Sequence, residues 1–145
     1  GDLLDVLAES TDAVGVVLAA DVLNYLGDLR PVWALAYSAM TPGGVMVCTL
    51  EDGGTLDGGY VLQPNGRFAH DPAWIAASLA EAEFVKVEVS PCVLRTEGAV
   101  EVRGWLVSGA RAVGKPGIHP MCQSEQLVHT GRGGTTVSPT QGASQ

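Results

Sequence analysis

The chemistry that this chain could perform is concentrated in a few side chains, and Tyr60, Arg67 and His70 stand closest together. An imidazole titrates near neutral pH, so His70 is the best candidate for a general base that takes a proton from an attacking oxygen or nitrogen. It also directly precedes Asp71-Pro72, and a structural role at a helix start is the competing reading. Arg67 can hold a substrate carboxylate in a bidentate pair or can simply lie at the surface. Asp21 is the first polar residue after an apolar stretch; it either meets a ligand or begins a turn. Tyr25, just beyond it, either lines a substrate pocket or packs in the core. Glu51 and Asp52 could bind a cation, although two neighbouring acids are more often a solvated loop. The three tryptophans read as core or surface-covering aromatics. His119 and His129 are isolated, and Cys48, Cys92 and Cys122 show no CxxC or Cys/His ligand spacing, so no metal site is expected.

The elements that must position these groups follow from apolar pattern and chain punctuation. Val14 to Ala20 is almost wholly apolar, as in a strand covered on both faces of a parallel sheet. Asp28 can cap a helix that carries Pro31 in its first turn, with Leu29, Val32, Trp33, Ala36 and Met40 on one face. Thr41-Pro42-Gly43-Gly44 stops that helix, and Val45 to Leu50 is a second buried strand. Glu51 to Gly66 reads as a long Gly-rich loop. Asp71 followed by Pro72 opens a helix to about Ala82, with Ile75, Leu79 and Ala82 toward the core. Val85, Val87 and Val89 alternate with Lys86 and Glu88, then the chain turns at Thr96 to Ala99 and returns over Val100 to Ala110, which predicts an antiparallel hairpin. The expected fold class is therefore α/β, with a partial doubly wound, mostly parallel sheet ending in that hairpin.

Composition limits the partners. The chain has 145 residues, 46% hydrophobic, enough for one domain. Its formal charge is -8, and fifteen of the sixteen acidic residues lie before Arg111. Such a surface repels phosphate backbones, so no nucleic-acid partner is expected and a small-molecule substrate fits better. Three scattered cysteines suit a reducing, cytoplasmic compartment, and no apolar run reaches the roughly twenty residues of a bilayer helix. From residue 112 onward Gly, Ser, Thr, Gln and Pro dominate, which predicts a disordered tail after a domain spanning residues 1–111.

The order strand, helix, strand, helix and terminal antiparallel hairpin resembles the second half of the seven-stranded sheet of Rossmann-like, class I S-adenosylmethionine-dependent methyltransferases. Ala19-Ala20-Asp21-Val22-Leu23-Asn24-Tyr25-Leu26-Gly27-Asp28-Leu29 looks like the fourth strand and its exit loop, and Thr41-Pro42-Gly43-Gly44 like the turn before strand five. Gly59-Tyr60, Leu62, Pro64, Gly66-Arg67-Phe68, His70 and Leu94-Arg95-Thr96-Glu97-Gly98 together resemble bacterial methyltransferases with tetratricopeptide repeats ahead of the catalytic domain. The likeness covers about Gly1 to Arg111.

The resemblance implies S-adenosyl-L-methionine as cofactor. Asp2 would accept from the adenine amine and Leu3 would add a backbone contact; Ala20, Asp21 and Val22 would border the methionine part. Tyr25, Tyr60 and Arg67 would line the substrate side, with His70 as the catalytic base. Asn24-Tyr25 lacks the paired prolines of enzymes that methylate amide or nucleobase nitrogens. The Gly-rich cofactor loop and the ribose-binding acid of the family do not occur in the sequence. Because the chain opens on Gly1-Asp2 as if within a loop, it is expected to be a fragment whose upstream half completes the sheet. The rival readings are a non-catalytic, degenerate methyltransferase-like module and a nicotinamide-dependent enzyme, the latter with a parallel final strand.

Overall fold

The computed structural model describes residues 2–114. Its elements in chain order are α1 (Leu3–Glu9), β1 (Val14–Ala19), a single 3-10 turn (Leu23–Tyr25), α2 (Arg30–Ala39), β2 (Met40–Asp52), β3 (Tyr60–Leu62), β4 (Phe68–His70), α3 (Pro72–Glu81), β5 (Val85–Glu97) and β6 (Val100–Ala110). Local chemistry explains the helix starts. Asp2 caps α1 by accepting from the Leu4 amide, Asp28 accepts from the Arg30 amide, and Asp71 accepts from the Ala73 amide. These bonds satisfy amides that a helix leaves without internal partners. Pro31 and Pro72 occupy the first turns of α2 and α3, where no internal bond is lost.

β2 is the axis of the sheet. Along one edge it pairs in parallel with β1, up to Ala19 opposite Cys48, and then with β4, from Ala69 opposite Glu51. Along its other edge it pairs antiparallel with β6, which pairs antiparallel with β5. The long returning ribbon of β5 and β6 is therefore as expected, and it excludes the parallel final strand of the nicotinamide reading. The expected mostly parallel sheet is corrected: only β1–β2 and β2–β4 are parallel, whereas β2–β6, β5–β6 and β3–β4 are antiparallel. The long ribbon and an unforeseen hairpin outweigh the two parallel pairings.

That hairpin replaces the expected long loop. β3 and β4 pair between residues 60 and 70, and β4 joins the sheet at the end of β2. Gly59 makes the approach possible: it has φ +90, and a Cβ there would stand 2.1 Å from Trp74 Cγ. Thr41-Pro42-Gly43-Gly44 is likewise not a separate turn. It is an outward bulge at the start of β2, because Met40 pairs with Val14 and Val45 with Val16. Gly43 and Gly44 bond instead to the backbone of Arg111, which satisfies the groups that the bulge removes from the ladder.

One face of the sheet is packed. Val17, Ala19, Met46, Cys48, Leu50 and Val107 meet Val32, Trp33 and Ala36 of α2 and Ile75 and Leu79 of α3 in a single core. Inside it the Trp33 indole N–H donates to Ser78 Oγ at 3.0 Å, and burial pushes the Cys48 thiol up to about 12, leaving it inert. The opposite face is bare among the described residues: Val16 is 64% and Leu18 70% exposed, with Val45 and Leu106 also exposed. The expectation that β1 is covered on both faces is thus corrected. Its helices all lie on one side, and its outer edge has no strand partner among the described residues.

An open apolar edge templates pairing with another chain. The 145-residue chain is expected to self-associate, with a weight-average mass by light scattering above that of a monomer. Leu18→Lys should lower that mass, and a monomeric wild type with a sharp unfolding transition would contradict the expectation.

Candidate functional site

The carboxyl ends of β1 and β2 finish side by side, which is where open α/β sheets bind ligands. Asp21 lies beyond β1, with Ala20 between them. Its φ of +57 is in the left-handed region, which Asp tolerates better than most residues. The amide of Asp21 donates to Thr49 Oγ1 at 2.9 Å, so β2 fixes the loop. Asn24 Nδ2 donates to Asp21 Oδ1 at 3.0 Å, while Asn24 Oδ1 is buried without a partner.

At the end of β2, Glu51 is only 3% exposed. Arg95 Nη2 donates to its Oε1 at 2.6 Å, and Gln63 Nε2 to its Oε2 at 2.8 Å. Burial by itself pushes this carboxyl up. The bonds from Arg95 and Gln63, the Arg95 charge and a contact from Asn24 outweigh burial and hold it below the usual carboxylate range. The bond to Glu51, and after it the bond to Glu97, raises the Arg95 guanidinium. Arg95 also reaches Asp21 Oδ1 at 3.3 Å and Glu97 Oε1 at 2.7 Å. A register shift between Val93 and Arg95 places one extra residue in β5, and such a bulge re-aims the side chain that follows it.

The expected site residues are distributed around this hub. Arg67 stands 3.6 Å from both Glu51 Oε1 and Glu97 Oε1, with its guanidinium 5.9 Å from the Tyr25 ring centroid. Asp2, Leu3, Val22 and Tyr25 line one concavity of ≈ 280 Å³ together with Leu4 and Leu26. Ala20 and Asp21 line a second, of ≈ 200 Å³, with Thr49 and Cys92. The expected cofactor residues thus occupy two recesses on either side of the β1 exit loop.

His70 and Tyr60 lie elsewhere. His70 is 0% exposed. Its Nε2 donates to the Gly27 carbonyl at 2.9 Å, Nδ1 has no partner, and the ring stacks on Trp74 with centroids 6.0 Å apart. Burial lowers its pKa below the ordinary imidazole value, against the opposing effect of the Gly27 and Leu26 carbonyls. A ring closed off from solvent cannot take a proton from a substrate, so the general-base expectation gives way to the structural one stated beside it. Tyr60 is packed edge-on against Phe68 and Trp74, and a Cβ on Gly27 would come within 2.7 Å of Tyr60 Cε2. The expected substrate contact is replaced by a buttress under the β1 exit loop. Sequence reasoning weighed Glu51 only as a cation ligand or a solvated acid and gave Gln63 and Arg95 no site role, although each lies near a strand end. No cluster of three metal-ligating side chains occurs among the described residues, and none of the described helices is long and apolar enough to cross a membrane.

No family model matches the chain, and no curated protein does. Solved structures do match. A SAM-dependent methyltransferase from Methanosarcina mazei aligns with TM-score 0.60 at 11% identity, over 77% of this chain and 66% of that one. An S-adenosylmethionine-dependent methyltransferase from Mesorhizobium loti gives 0.56 at 17% identity, over 77% and 68%. Phosphoethanolamine N-methyltransferase 2 of Haemonchus contortus, solved with phosphomonomethylethanolamine and S-adenosylhomocysteine, gives 0.56 at 11% identity, over 71% and 34%. The fold is the one that these SAM-dependent methyltransferases share. The chain spans from 34% to 68% of their lengths.

The residues present fit the amino-acid end of such a cofactor. The orphan Asn24 Oδ1 and the exposed Asp21 carboxylate, three residues apart beyond β1, offer acceptors that suit an ammonium.

Acid stability tests the two buried groups. A depressed native pKa adds stability above the unfolded value and loses it as pH falls through that value toward the native one. The urea midpoint should therefore decline below about pH 6.5 through His70 and again below about pH 4.5 through Glu51. His70→Gln should remove the first decline, whereas an unchanged pH profile in that variant would contradict the assignment.

Proposed function

We propose that this chain forms the substrate-side half of an S-adenosylmethionine-dependent methyltransferase acting on a small-molecule acceptor. The observation that carries the reading is the geometry at the carboxyl ends of β1 and β2: a polar, acceptor-rich loop and a salt-bridged wall stand side by side under a reversed ribbon. The fold shared with solved methyltransferases supports it. The finer resemblance to bacterial methyltransferases with tetratricopeptide repeats rests on the Tyr60 to His70 and Leu94 to Gly98 residues alone.

In this reading Asp21, with the backbone of Ala20 and Val22, accepts from the methionine ammonium, and Asp2 and Leu3 stand on the adenine side. Bound there, the cofactor would supply an activated methyl group for in-line displacement. The chain's own task is to position the nucleophile and exclude water. Arg67 and Tyr25 hold the acceptor, while Glu51 and Arg95 hold Arg67 and the exit loop in place. Since no described imidazole faces the site, the reaction calls for a nucleophile that is already deprotonated or that loses its proton to solvent.

The unpaired edge of β1 calls for further polypeptide. We infer that an upstream part of the same protein completes the sheet and brings the Gly-rich cofactor loop. Neither nucleic acid nor membrane enters this reading, and the compartment is cytoplasmic.

Calorimetry on the complete protein tests the proposal. S-adenosylmethionine should bind, S-adenosylhomocysteine should compete, and Asp21→Ala should weaken binding by roughly tenfold, as loss of one charge-assisted hydrogen bond would. Absence of heat together with absence of competition would favour the non-catalytic, degenerate module.

A further inference from the structure

Two guanidiniums from distant parts of the chain converge on one exposed carboxylate. Arg95 Nε donates to Glu97 Oε1 at 2.7 Å, and Arg67 Nη1 lies 3.6 Å from the same oxygen. Their inner partner is different in kind. The Glu51 side chain is 4% exposed, both of its oxygens are engaged, and it belongs to the fixed wall. The Glu97 side chain is 56% exposed and sits beside the ribbon turn, where Gly98 has φ +63. Only Thr96 separates it from Arg95, and an exposed pair of this kind costs little to break.

Beside the seat lies an aromatic surface. Tyr25 is 59% exposed and stands under the Arg67 guanidinium. A planar carboxylate, a pair of forked donors and an adjacent ring make a compact recognition unit.

We propose that the Arg67–Arg95 seat binds the carboxylate of a small organic ligand, and that Glu97 is an internal stand-in that leaves when the ligand arrives. Charge selects the ligand class. The two guanidiniums face the carboxylates of Glu51, Asp21 and Glu97, so a ligand monoanion replaces Glu97 at constant local charge. A phosphate dianion would add a negative charge to a chain that already carries -8. The seat itself stands on these contacts. The step from ligand to acceptor rests on the methyltransferase reading, under which the acceptor carries a carboxylate near the methylated atom.

Benzoate is the probe, with benzamide as its neutral counterpart and inorganic phosphate as the dianion. Ligand-observed saturation-transfer NMR on the 145-residue chain tolerates self-association. Benzoate should bind saturably with a Kd of about 1–10 mM, with no saturable signal from benzamide and no displacement by equimolar phosphate. Glu97→Gln should tighten benzoate binding by about three- to tenfold, because the competitor is gone, and Arg67→Gln should weaken it by about tenfold or more. Arg95→Gln also leaves Glu51 buried without its partner, so Arg67→Gln is the arginine variant of choice, with circular dichroism to verify its fold. Should Arg67→Gln not fold, Glu97→Gln decides alone. Equal binding of benzamide, no saturation up to about 50 mM benzoate, or unchanged or weaker binding in Glu97→Gln would each overturn the seat. Displacement by equimolar phosphate would overturn the choice of a monoanion. Benzoate binding in the chain, paired with no methyl-donor binding in the complete protein, would retire the methyltransferase reading alone.

Discussion

Glu51 is a carboxylate placed at the end of the central strand and then almost wholly removed from water. Burying an unpaired charge costs several kcal/mol, and pairing offsets that cost only when geometry is good and the remaining lone pairs are used. Here both conditions hold, through Arg95 on one oxygen and Gln63 on the other. The two donors come from different elements, the tip of the β5–β6 ribbon and the β3–β4 hairpin. One buried anion therefore fastens two separate parts of the chain to the end of β2, and the β1 exit loop joins them as a third through Asp21 and Asn24.

Much of the scaffold was legible in the residues because it rests on local rules. Asp71-Pro72 announces a capped helix, alternation in Val85 to Val89 announces a strand, and the Thr96 to Ala99 turn announces the ribbon. What escaped depends on pairings between distant residues. The bulge that absorbs Thr41 to Gly44 reads locally as a turn, since only the ladder to β1 reveals the extra residues. The β3–β4 hairpin has strands of three residues each, too short for an alternating pattern to register.

The site was half legible for the same reason. Asp21, Tyr25 and Arg67 follow from strand ends and side-chain chemistry; the structure sets the Arg67 guanidinium over the Tyr25 ring and Arg95 on Asp21, while Tyr25 and Asp21 line different recesses. Glu51 beside Asp52 looks like a solvated pair, yet alternation along β2 sends the two to opposite fates: Glu51 into the hub and Asp52 outward, where it accepts from the Trp105 indole N–H at 3.2 Å. His70 misled because reactivity was read without burial. A histidine beside a helix cap can be a packing residue, and here Gly27, Tyr60 and Trp74 enclose it.

The bonds that make the hub link residues very far apart in sequence, with 44 positions between Arg95 and Glu51 and 74 between Arg95 and Asp21. Closing loops of that size is entropically uphill until the intervening elements have docked. The hub is complete only when β6 lies along β2, because Arg95 reaches Glu51 from the tip of that ribbon. Any partly assembled form with an intact helical core but a loose ribbon would lack the proposed Arg67–Arg95 seat, so a ligand taken up there would stabilise only the finished protein.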